Sequence, residues 1–479
     1  MKFQSGTRRR ASEYEKDLVL KWKKNRTFQK SIELRDPANS YVFYDGPPFI
    51  TGVPHHGTLL SSIIKDAVPR YWTMKGKRVE RRWGWDCHGL PAENFVEKQM
   101  GIVDRRQIIT NPDQKAPLDK DGNPLPTITL EKYIETARDS MIANSETWEG
   151  VIDRVGRWVD FKGAYRTMNK DFMESVWWAF KQLYQAGKIY EGEKVLMYDT
   201  KFATPVSKAE VTMDNDAYQT VTDPSVFVKF MLRDGEAAKI GLPNDAKILA
   251  WTTTPWTLPA NLMLAVNSDM TYVLAKVGDE HFVIAKDCLT NTLQDERHQP
   301  IAYTIEKEFK GEQLVGLKYQ PLDTGSTWPT DPEIVSKIHQ IYAADFVSNE
   351  SGTGIVHIAP AYGEDDFALA KANGIKAFHV IDDNGYYFDS IYQGREVWTN
   401  NKFIAKDLKE KGIVYQIRYI QHEYPFNPRS KQRIMYRAIP SWFFDIQNSK
   451  PLMLEQNENI NWFPAHLKHG RFMKNIEQA

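Results

Sequence analysis

One segment constrains the fold more than any other, because it predicts a strand, a loop, a helix and a second strand in succession. Residues 41–44 are an aromatic and β-branched run typical of a strand, and a loop rich in Gly and Pro follows from Gly46. Apolar residues then recur at helical spacing over residues 59–71, where Pro69 indicates a kink or an end. Residues 77–82 favour the next strand. This order is a βαβ unit, so we predict a parallel sheet.

The rest of the sequence divides by its pattern into α/β ends and a β-rich middle. Residues 13–28, 172–183 and 402–411 have the apolar periodicity of helices. Between Lys194 and Trp398, short β-type runs are separated by Gly, Pro, Asn and Asp. These runs are residues 225–231, 247–251, 270–276, 281–284 and 354–358. We therefore predict a compact, mostly β domain inserted between α/β segments.

Composition excludes several classes of protein. A length of 479 residues suggests about two to four domains. The two cysteines, Cys87 and Cys288, exclude a disulfide framework and a four-cysteine zinc site, and fit a reducing cytoplasm. We see no bilayer-spanning apolar stretch and no secretory signal, so we expect a cytoplasmic protein that is not bound to a membrane. Because the formal net charge is zero, RNA contact needs a local patch such as Arg78, Arg81 and Arg82, for which a solvated strand edge is the alternative.

The loop after the first predicted strand has features of a phosphate site. It runs to Thr58, and the helix is predicted to open at Gly57. A helix N-terminus offers free N–H groups and a positive dipole end to an anion, and glycine lets a nucleotide approach the backbone. His55 and His56 add protonatable donors there. A tight turn with surface histidines explains the same residues equally well.

A second motif, residues 84–93, follows the second predicted strand, at the sheet edge where parallel α/β folds bind ligands. Asp86 in this motif can neutralise an ammonium group. A metal site is the alternative, but the spacing of the candidate ligands matches no familiar zinc pattern. Those candidates are His55, His56, Asp86, Cys87 and His88. We therefore predict no metal and interpret Cys87 as a small buried hydrophobic residue.

Residues 41–93 resemble the class I aminoacyl-tRNA synthetases, whose signature is His-x-Gly-His after a Pro-rich loop. Residues 84–91 are similar to the isoleucyl branch in particular, and residues 160–191 and 441–443 agree. The resemblance implies a ligase that joins isoleucine to its tRNA, with ATP and Mg²⁺ as substrate and a monomeric full-length protein. Asn427 and Ser430 stand where many relatives have a cysteine pair, so no zinc is expected.

The resemblance also implies an α/β fold in which a Rossmann-type parallel sheet is interrupted by a large, mostly β editing domain. Residues 1–194 are then an N-terminal helix and the first half of the catalytic domain, residues 195–398 the editing domain, and residues 399–479 the return towards the second half. The family's Lys-Met-Ser-Lys-Ser loop and anticodon-binding domain have no counterpart in the sequence. We therefore expect a fragment or a truncated gene product, inactive in aminoacylation by itself.

The resemblance assigns roles to individual residues of the two motifs. Gly46 and Pro47 would line the isoleucine pocket, and Asp86 would hold the α-ammonium group of isoleucine. Thr58 occupies the position of the second signature histidine, and it cannot carry that positive charge. The ATP-binding and catalytic positions of the signature are at His55, Gly57 and Thr58.

Two segments of the β-rich middle have a composition suited to binding an ester. Residues 251–261 contain three consecutive threonines, whose hydroxyls can orient a water or an ester, although a Thr-rich strand before a Pro turn is the simpler explanation. Residues 352–366 end in three acids, which also suit an ordinary helix N-terminus. Both segments resemble the editing site of the isoleucyl, valyl and leucyl synthetases. By that resemblance Asp366 would bind the ammonium group of the wrongly attached amino acid, and the site would be lined by Thr252, Thr253, Thr254 and His357.

Editing has a physical reason. Isoleucine and valine differ by one methylene, which a pocket can discriminate by only about 1–3 kcal/mol, a limit for which isoleucyl-tRNA synthetase is itself the standard example. A second site that admits valine and excludes isoleucine supplies the remainder by hydrolysis. Two other functions fit the sequence: a stand-alone editing hydrolase, and a non-catalytic module that binds tRNA or an amino acid.

Overall fold

The computed structural model describes residues 8–49, 52–119, 122–140, 145–213, 216–295 and 297–478. The chain forms two compact units, Met1–Ile189 and Tyr190–Ala479. Among the described residues, no helix is long and apolar enough to cross a membrane. Ile50 and Thr51 of the predicted phosphate loop lie outside the described residues.

The first unit consists of helices around a pair of parallel strands. Its helices are α1 (Ala11–Lys24), α2 (Thr27–Glu33), α3 (His56–Met74), α4 (Leu90–Met100), α5 (Leu130–Ser140), α6 (Ser145–Val155) and α7 (Lys170–Gln185). Its strands are β1 (Arg82–Trp85), β2 (Ile108–Ile109), β3 (Ile128–Thr129) and β4 (Asp160–Arg166). β1 and β4 pair in parallel, with Gly84 opposite Tyr165, which is a different pair from the predicted one between residues 41–44 and 77–82. Trp83, Trp85 and Trp148 form the centre of its apolar core.

The first predicted strand, residues 41–44, is not a regular strand. The extended chain pairs in parallel at isolated points only, Ser40 with Arg78 and Phe49 with Asp86. The sequence pattern fits a strand, but the adjoining loop contains two prolines, which cannot donate to a strand ladder. The parallel direction agrees with the prediction, but the isolated bridges do not form the continuous strand that was predicted.

Other boundaries in this unit also differ from the prediction. The second strand begins at Arg82, not at residue 77, because the buried residues Trp83 and Trp85 follow the charged run. The predicted helix over residues 13–28 is divided at Arg26, whose left-handed backbone (φ 54°) separates α1 from α2. Pro69 lies inside α3 without ending it.

The basic triplet does not form the exposed patch considered for RNA. Arg81 is buried, and its guanidinium lies over the rings of Phe28 and Trp158. Burial lowers the pKa of Arg81 to about 10. Arg78 forms an ion pair with Glu80 at 2.7 Å.

The second unit has twelve strands in its described residues, nine in a mixed sheet and three in a smaller sheet. Its strands are β5 (Ile189–Asp199), β6 (Thr204–Pro205), β7 (Tyr218–Met231), β8 (Lys247–Thr252), β9 (Met263–Val266), β10 (Thr271–Val277), β11 (Glu280–Ala285), β12 (Thr304–Lys310), β13 (Gln340–Ala343), β14 (Ile355–Ile358), β15 (Val414–Pro425) and β16 (Ile434–Phe444). Its helices are α8 (Glu236–Lys239), α9 (Leu289–Thr292), α10 (Pro332–Lys337), α11 (Glu364–Ala372), α12 (Val397–Glu410), α13 (Lys450–Glu458) and α14 (Lys474–Gln478). The β-runs predicted in the middle of the chain correspond to β7, β8, β10, β11 and β14. The helices predicted over residues 172–183 and 402–411 are α7 and α12, but α12 begins five residues before its predicted start.

The order of strands brings three sequence-distant segments side by side. The main path of the sheet is β12-β10-β11-β8-β14-β9-β13. β8 pairs antiparallel with β7, and in parallel with β11 near its start and with β14 near its end. β7 also pairs along its length with β15, so residues 414–425 belong to the same sheet. The predicted domain boundaries at residues 194 and 398 stay predictions.

A smaller sheet, in the order β16-β5-β6, contains a buried polar cluster. Asn427 donates a hydrogen bond to the Asp199 carboxylate at 2.6 Å, and the Ser430 hydroxyl donates to the same oxygen. Asp199 is fully buried. Asn427 and Ser430, the two positions that the resemblance compared with a cysteine pair, therefore both bind one buried carboxylate.

Candidate active sites

Pro48 and Phe49 of the loop after residue 45 lie against the carboxyl end of β1. The Asp86 N–H donates to the Pro48 carbonyl at 2.9 Å, and Phe49 bridges to Asp86 in parallel. Asp86 directly follows β1 and is half-buried. The structure therefore brings together Asp86 and the loop that contains Gly46 and Pro47.

Charged groups fix the start of this loop. Lys65 of α3 forms an ion pair with Asp45 at 2.6 Å and donates to the Gly46 carbonyl at 2.9 Å. Arg157, which is buried, pairs with the other oxygen of the same carboxylate. A carboxylate with two cationic partners holds the loop in one position, which is what a preformed pocket needs.

The N-terminus of α3 has the geometry expected of a phosphate site. The helix begins at His56, one residue before the predicted start, with His55 as its N-cap residue. The first helical hydrogen bond runs from the Leu59 N–H to the His55 carbonyl at 3.0 Å, so the N–H groups of residues 56–58 precede the ladder. A β-carbon at Gly57 would lie 3.1–3.2 Å from the His55 ring, so this glycine makes room for the imidazole. Thr58 is half-buried in the first turn.

Sequence reasoning missed Tyr165, on the strand that neighbours Asp86. The register places Tyr165 opposite Gly84, and a β-carbon at Gly84 would overlap the Tyr165 ring. Burial raises the pKa of Tyr165, and the charges of Asp45 and Asp86 raise it further. The sequence did not reveal this contact, because Gly84 lies beyond the predicted strand of residues 77–82 and only the structure places it inside β1.

In the second unit, the five predicted editing residues line one cavity of about 320 Å³. Thr252 ends β8, His357 lies on β14, and Asp366 is in the first turn of α11. Because β8 and β14 are neighbours, segments more than 100 residues apart in sequence meet at this wall. The remaining predicted residues, Thr253 and Thr254, lie in the turn after β8.

Threonine hydroxyls and a histidine form a hydrogen-bonded chain along the cavity. The Thr252 and Thr254 hydroxyls are 3.2 Å apart, and the Thr254 and Thr257 hydroxyls are also 3.2 Å apart. Thr257 lies 3.0 Å from Nε2 of His357. Burial lowers the pKa of His357 to about 3, so this ring is neutral at physiological pH. The wall therefore offers polar groups without charge.

Asp366 supplies the negative charge of this cavity. Its Oδ2 accepts a hydrogen bond from the Ala359 N–H at 2.8 Å. Burial raises the pKa of Asp366 to about 7, and the neighbouring charge of Asp365 adds to the shift. Among the described residues this half-buried carboxylate forms no ion pair, which is costly, and an ammonium group in the cavity would relieve that cost.

Two further contacts of this cavity were not predicted. The Trp251 ring lines it and packs on Gly352, where a β-carbon would lie 2.7 Å from the ring. The side-chain amide nitrogen of Asn261, which is buried beneath the cavity surface, lies 2.7 Å from Nδ1 of His357. Both residues lie inside the segments singled out above, but their spacing in sequence does not reveal these partners.

The cysteine and the candidate metal ligands can now be placed. Cys87 is 7% exposed in the apolar core of the first unit, and burial raises its pKa, as for a small buried hydrophobic residue. His55, His56 and His88 are exposed. In the described part of the chain, no group of three or more His, Cys, Asp or Glu side chains is arranged to hold a metal ion.

The first unit thus has a parallel strand pair followed by Asp86 and a helix N-terminus at His55, and the second unit has a cavity that contains Asp366. The sequence model of the family "tRNA synthetases class I (I, L, M and V)" matches residues 17–479, and the chain belongs to that family. Among curated relatives, "Isoleucine--tRNA ligase 2" of Pseudomonas fluorescens is 41% identical over 97% of this chain and 41% of the relative. "Isoleucine--tRNA ligase" of Corynebacterium diphtheriae is 41% identical over 97% of this chain and 43% of the relative.

A third relative and one solved structure were also compared with the chain. "Isoleucine--tRNA ligase" of Mycobacterium tuberculosis (strain CDC 1551 / Oshkosh) is 40% identical over 96% of this chain and 42% of the relative. The chain thus spans less than half the length of these relatives. Among solved structures, "The crystal structure of GlLeuRS-CP1" aligns with a TM-score of 0.32 at 14% identity, over 40% of this chain and 98% of that chain.

Proposed function

We propose that this chain is the N-terminal part of an isoleucine–tRNA ligase, with an adenylation site in its first unit and an editing site in its second. The ligase activates isoleucine with ATP, which enters as its Mg²⁺ complex, to isoleucyl-adenylate and pyrophosphate. It then transfers the isoleucyl group to its tRNA. Relatives bearing this activity in their names, at about 40% identity, support the proposal.

In the first unit, positioning and electrostatics carry the adenylation chemistry. Asp86 holds the α-ammonium group of isoleucine, and Gly46 and Pro47 line the pocket for its side chain. The helix N-terminus at His55 and Gly57 stabilises the charge that develops on the phosphate oxygens of ATP. Thr58 contributes one hydroxyl donor in the same turn. No side-chain nucleophile is needed, because the isoleucine carboxylate itself attacks the α-phosphorus.

In the second unit, the cavity suits the hydrolysis of a valyl ester of the tRNA. Asp366 binds the ammonium group of the misplaced valine. Thr252, Thr253 and Thr254 orient the ester or the attacking water, and His357 forms a neutral part of the wall. The observation that carries this assignment is the convergence of these side chains on a cavity of about 320 Å³.

Size discrimination in deacylation tests the editing proposal directly. We expect the chain to hydrolyse valyl-tRNA for isoleucine at least about tenfold faster than the isoleucyl ester, the lower end of what one methylene provides. The measurement is the release of labelled amino acid from each charged tRNA. Equal rates for the two esters, or no hydrolysis of either, would exclude the editing site.

The adenylation site is tested by binding rather than by turnover. We expect Asp86→Asn to weaken binding of a non-hydrolysable sulfamoyl analogue of isoleucyl-adenylate by about 30-fold, because loss of one partner of a charge pair costs roughly 2 kcal/mol or more. Calorimetric titration gives both affinities. Asp139→Asn, which changes an exposed carboxylate on α5, is the matched control.

The same titration separates the proposal from its rival. If the analogue does not bind to the unsubstituted chain while valyl-tRNA is hydrolysed, a stand-alone editing hydrolase describes the protein better. If Asp86→Asn and Asp139→Asn bind the analogue equally well, the role given to Asp86 is wrong.

A further inference from the structure

A buried hydrogen-bond network behind the editing cavity fixes the protonation pattern of His357. Nδ1 of this ring lies 2.7 Å from the Asn261 side-chain amide nitrogen, and Nε2 lies 3.0 Å from the Thr257 hydroxyl. The Asn261 amide also donates to the Met263 carbonyl at 3.0 Å, and its oxygen accepts from the Tyr319 hydroxyl at 2.7 Å. Tyr319 and Asn261 are fully buried.

Two contacts together fix which way the Asn261 amide points: the Met263 carbonyl accepts from its nitrogen, and the Tyr319 hydroxyl donates to its oxygen. A backbone carbonyl only accepts hydrogen bonds, so this contact favours the orientation in which the amide nitrogen, with its two hydrogens, faces Met263 and His357. The amide oxygen then faces Tyr319, whose hydroxyl donates its single hydrogen to it. With this arrangement both N–H groups of the Asn261 amide and the hydroxyl hydrogen of Tyr319 each have an acceptor.

The orientation of the amide in turn decides the tautomer of the histidine. An N–H group of Asn261 points at Nδ1, so Nδ1 must be the unprotonated, accepting nitrogen. The hydrogen of the neutral ring therefore sits on Nε2 and is donated to Thr257. Thr257 can accept it, because its own hydroxyl hydrogen is directed to the Thr254 carbonyl at 2.8 Å.

We propose that Tyr319 is a positioning residue of the editing reaction: through Asn261 it holds His357 as the Nε2–H tautomer, a fixed hydrogen-bond donor to Thr257. This role rests on the proposed deacylation function. Both ring nitrogens are engaged, so His357 does not act as the general base that removes a proton from the attacking water. It instead fixes the Thr257 hydroxyl on the cavity wall, and Tyr319, two contacts behind the cavity, acts without touching the substrate.

The tautomer is measured by nitrogen NMR of the protein labelled with ¹⁵N-histidine, with His357→Gln used to assign the resonance. In the unsubstituted chain at neutral pH we expect a protonated Nε2 and an unprotonated Nδ1. In Tyr319→Phe the ring still packs against Phe230, but the Asn261 oxygen loses its donor and only the Met263 carbonyl still orients the amide, so we expect the second tautomer to appear beside the first. A protonated Nδ1 in the unsubstituted chain, or the same spectrum in both proteins, would overturn the proposal.

Kinetics distinguish positioning from a general loss of stability. For Tyr319→Phe we expect kcat for valyl-tRNA hydrolysis to fall about fivefold, the rate equivalent of one lost hydrogen bond, with KM unchanged because Asp366 is intact. Tyr392→Phe is the matched control, since it removes a buried tyrosine hydroxyl that donates to Asp407 at 2.7 Å, away from the network. An equal loss of kcat in both variants would reduce Tyr319 to a structural role. Absence of hydrolysis by the unsubstituted chain would refute the editing function, whereas the spectra would still test the tautomer.

Discussion

Asp366→Asn is expected to lower the rate of valyl-tRNA hydrolysis about 100-fold or more. Asparagine keeps the shape of the side chain and can still accept the Ala359 N–H, but it removes the counter-charge of the bound ammonium group. Truncation of one partner in a desolvated charge pair costs about 2–5 kcal/mol. The measurement is kcat/KM for deacylation of valyl-tRNA. Asp365→Asn, which changes the exposed acid next to it, should keep the rate within about twofold, since an exposed charge contributes little.

The pH dependence of the same reaction is an independent test of the role proposed for the Asp366 carboxylate. Burial raises the pKa of Asp366 to about 7 in the free protein, so the carboxylate takes up a proton as the pH falls through 7. The protonated side chain cannot pair with an ammonium group. We therefore expect kcat/KM, which reports the free protein, to fall below pH 7 in the unsubstituted chain, and this step to be missing in Asp366→Asn. Identical profiles for the two proteins would contradict the assignment.

Stability should change in the opposite direction to activity. The folded-state pKa of Asp366 lies above the ordinary value of 3.8, so the folded chain binds this proton more tightly than the unfolded chain does. The resulting stability is fully present below pH 4 and is lost as the pH rises through 7. Asparagine has no charge to bury, so the variant should be more stable at pH 8 by up to roughly 3 kcal/mol, and unchanged near pH 4. Such a gain would indicate that this charge is retained for function at the expense of stability.

The sequence predicted part of the fold and part of the candidate sites, for different reasons. Periodicity and turn residues predicted the β-rich middle and the helices α7 and α12, because these patterns are local in sequence, although α12 buries its apolar residues and α7 buries none. The first strand was wrong, since residues 41–44 have the composition of a strand but the following prolines interrupt the ladder. Arg81 was misjudged for a similar reason, because the sequence shows its charge but not the rings of Phe28 and Trp158 that cover it.

The candidate sites could be predicted where the chemistry lies in consecutive residues. The threonine run and Asp366 belong to compact motifs, and the structure gathers them around one cavity, although their roles stay predictions. Tyr165 and Tyr319 could not be found in this way. Each acts across the fold, Tyr165 through its register with Gly84 and Tyr319 through Asn261, and such pairings depend on tertiary structure alone.

The Trp251 ring makes part of the cavity wall, and a single hydrogen atom of Gly352 leaves room for it. Gly352 has φ 73°, a left-handed conformation, and a β-carbon there would lie 2.7 Å from the ring and 3.2 Å from the Trp251 β-carbon. Backbone and ring cannot both stay in place if a methyl group is added. Gly316 offers a matched comparison, because its φ of 88° carries the same backbone strain while no atom lies within 4 Å of its β-carbon position.

We therefore expect Gly352→Ala and Gly316→Ala to lose similar stability, about 1 kcal/mol each from the left-handed backbone, in thermal unfolding. Only Gly352→Ala should lose valyl-tRNA hydrolysis, by about 100-fold, since displacement of a site wall by 1 Å can cost that much. The loss should affect the valyl and isoleucyl esters alike, because a displaced ring reduces the space for both. If Gly352→Ala hydrolyses valyl-tRNA as fast as Gly316→Ala does, the Trp251 ring is not a wall of the working site, and the cavity it lines is not where the ester binds.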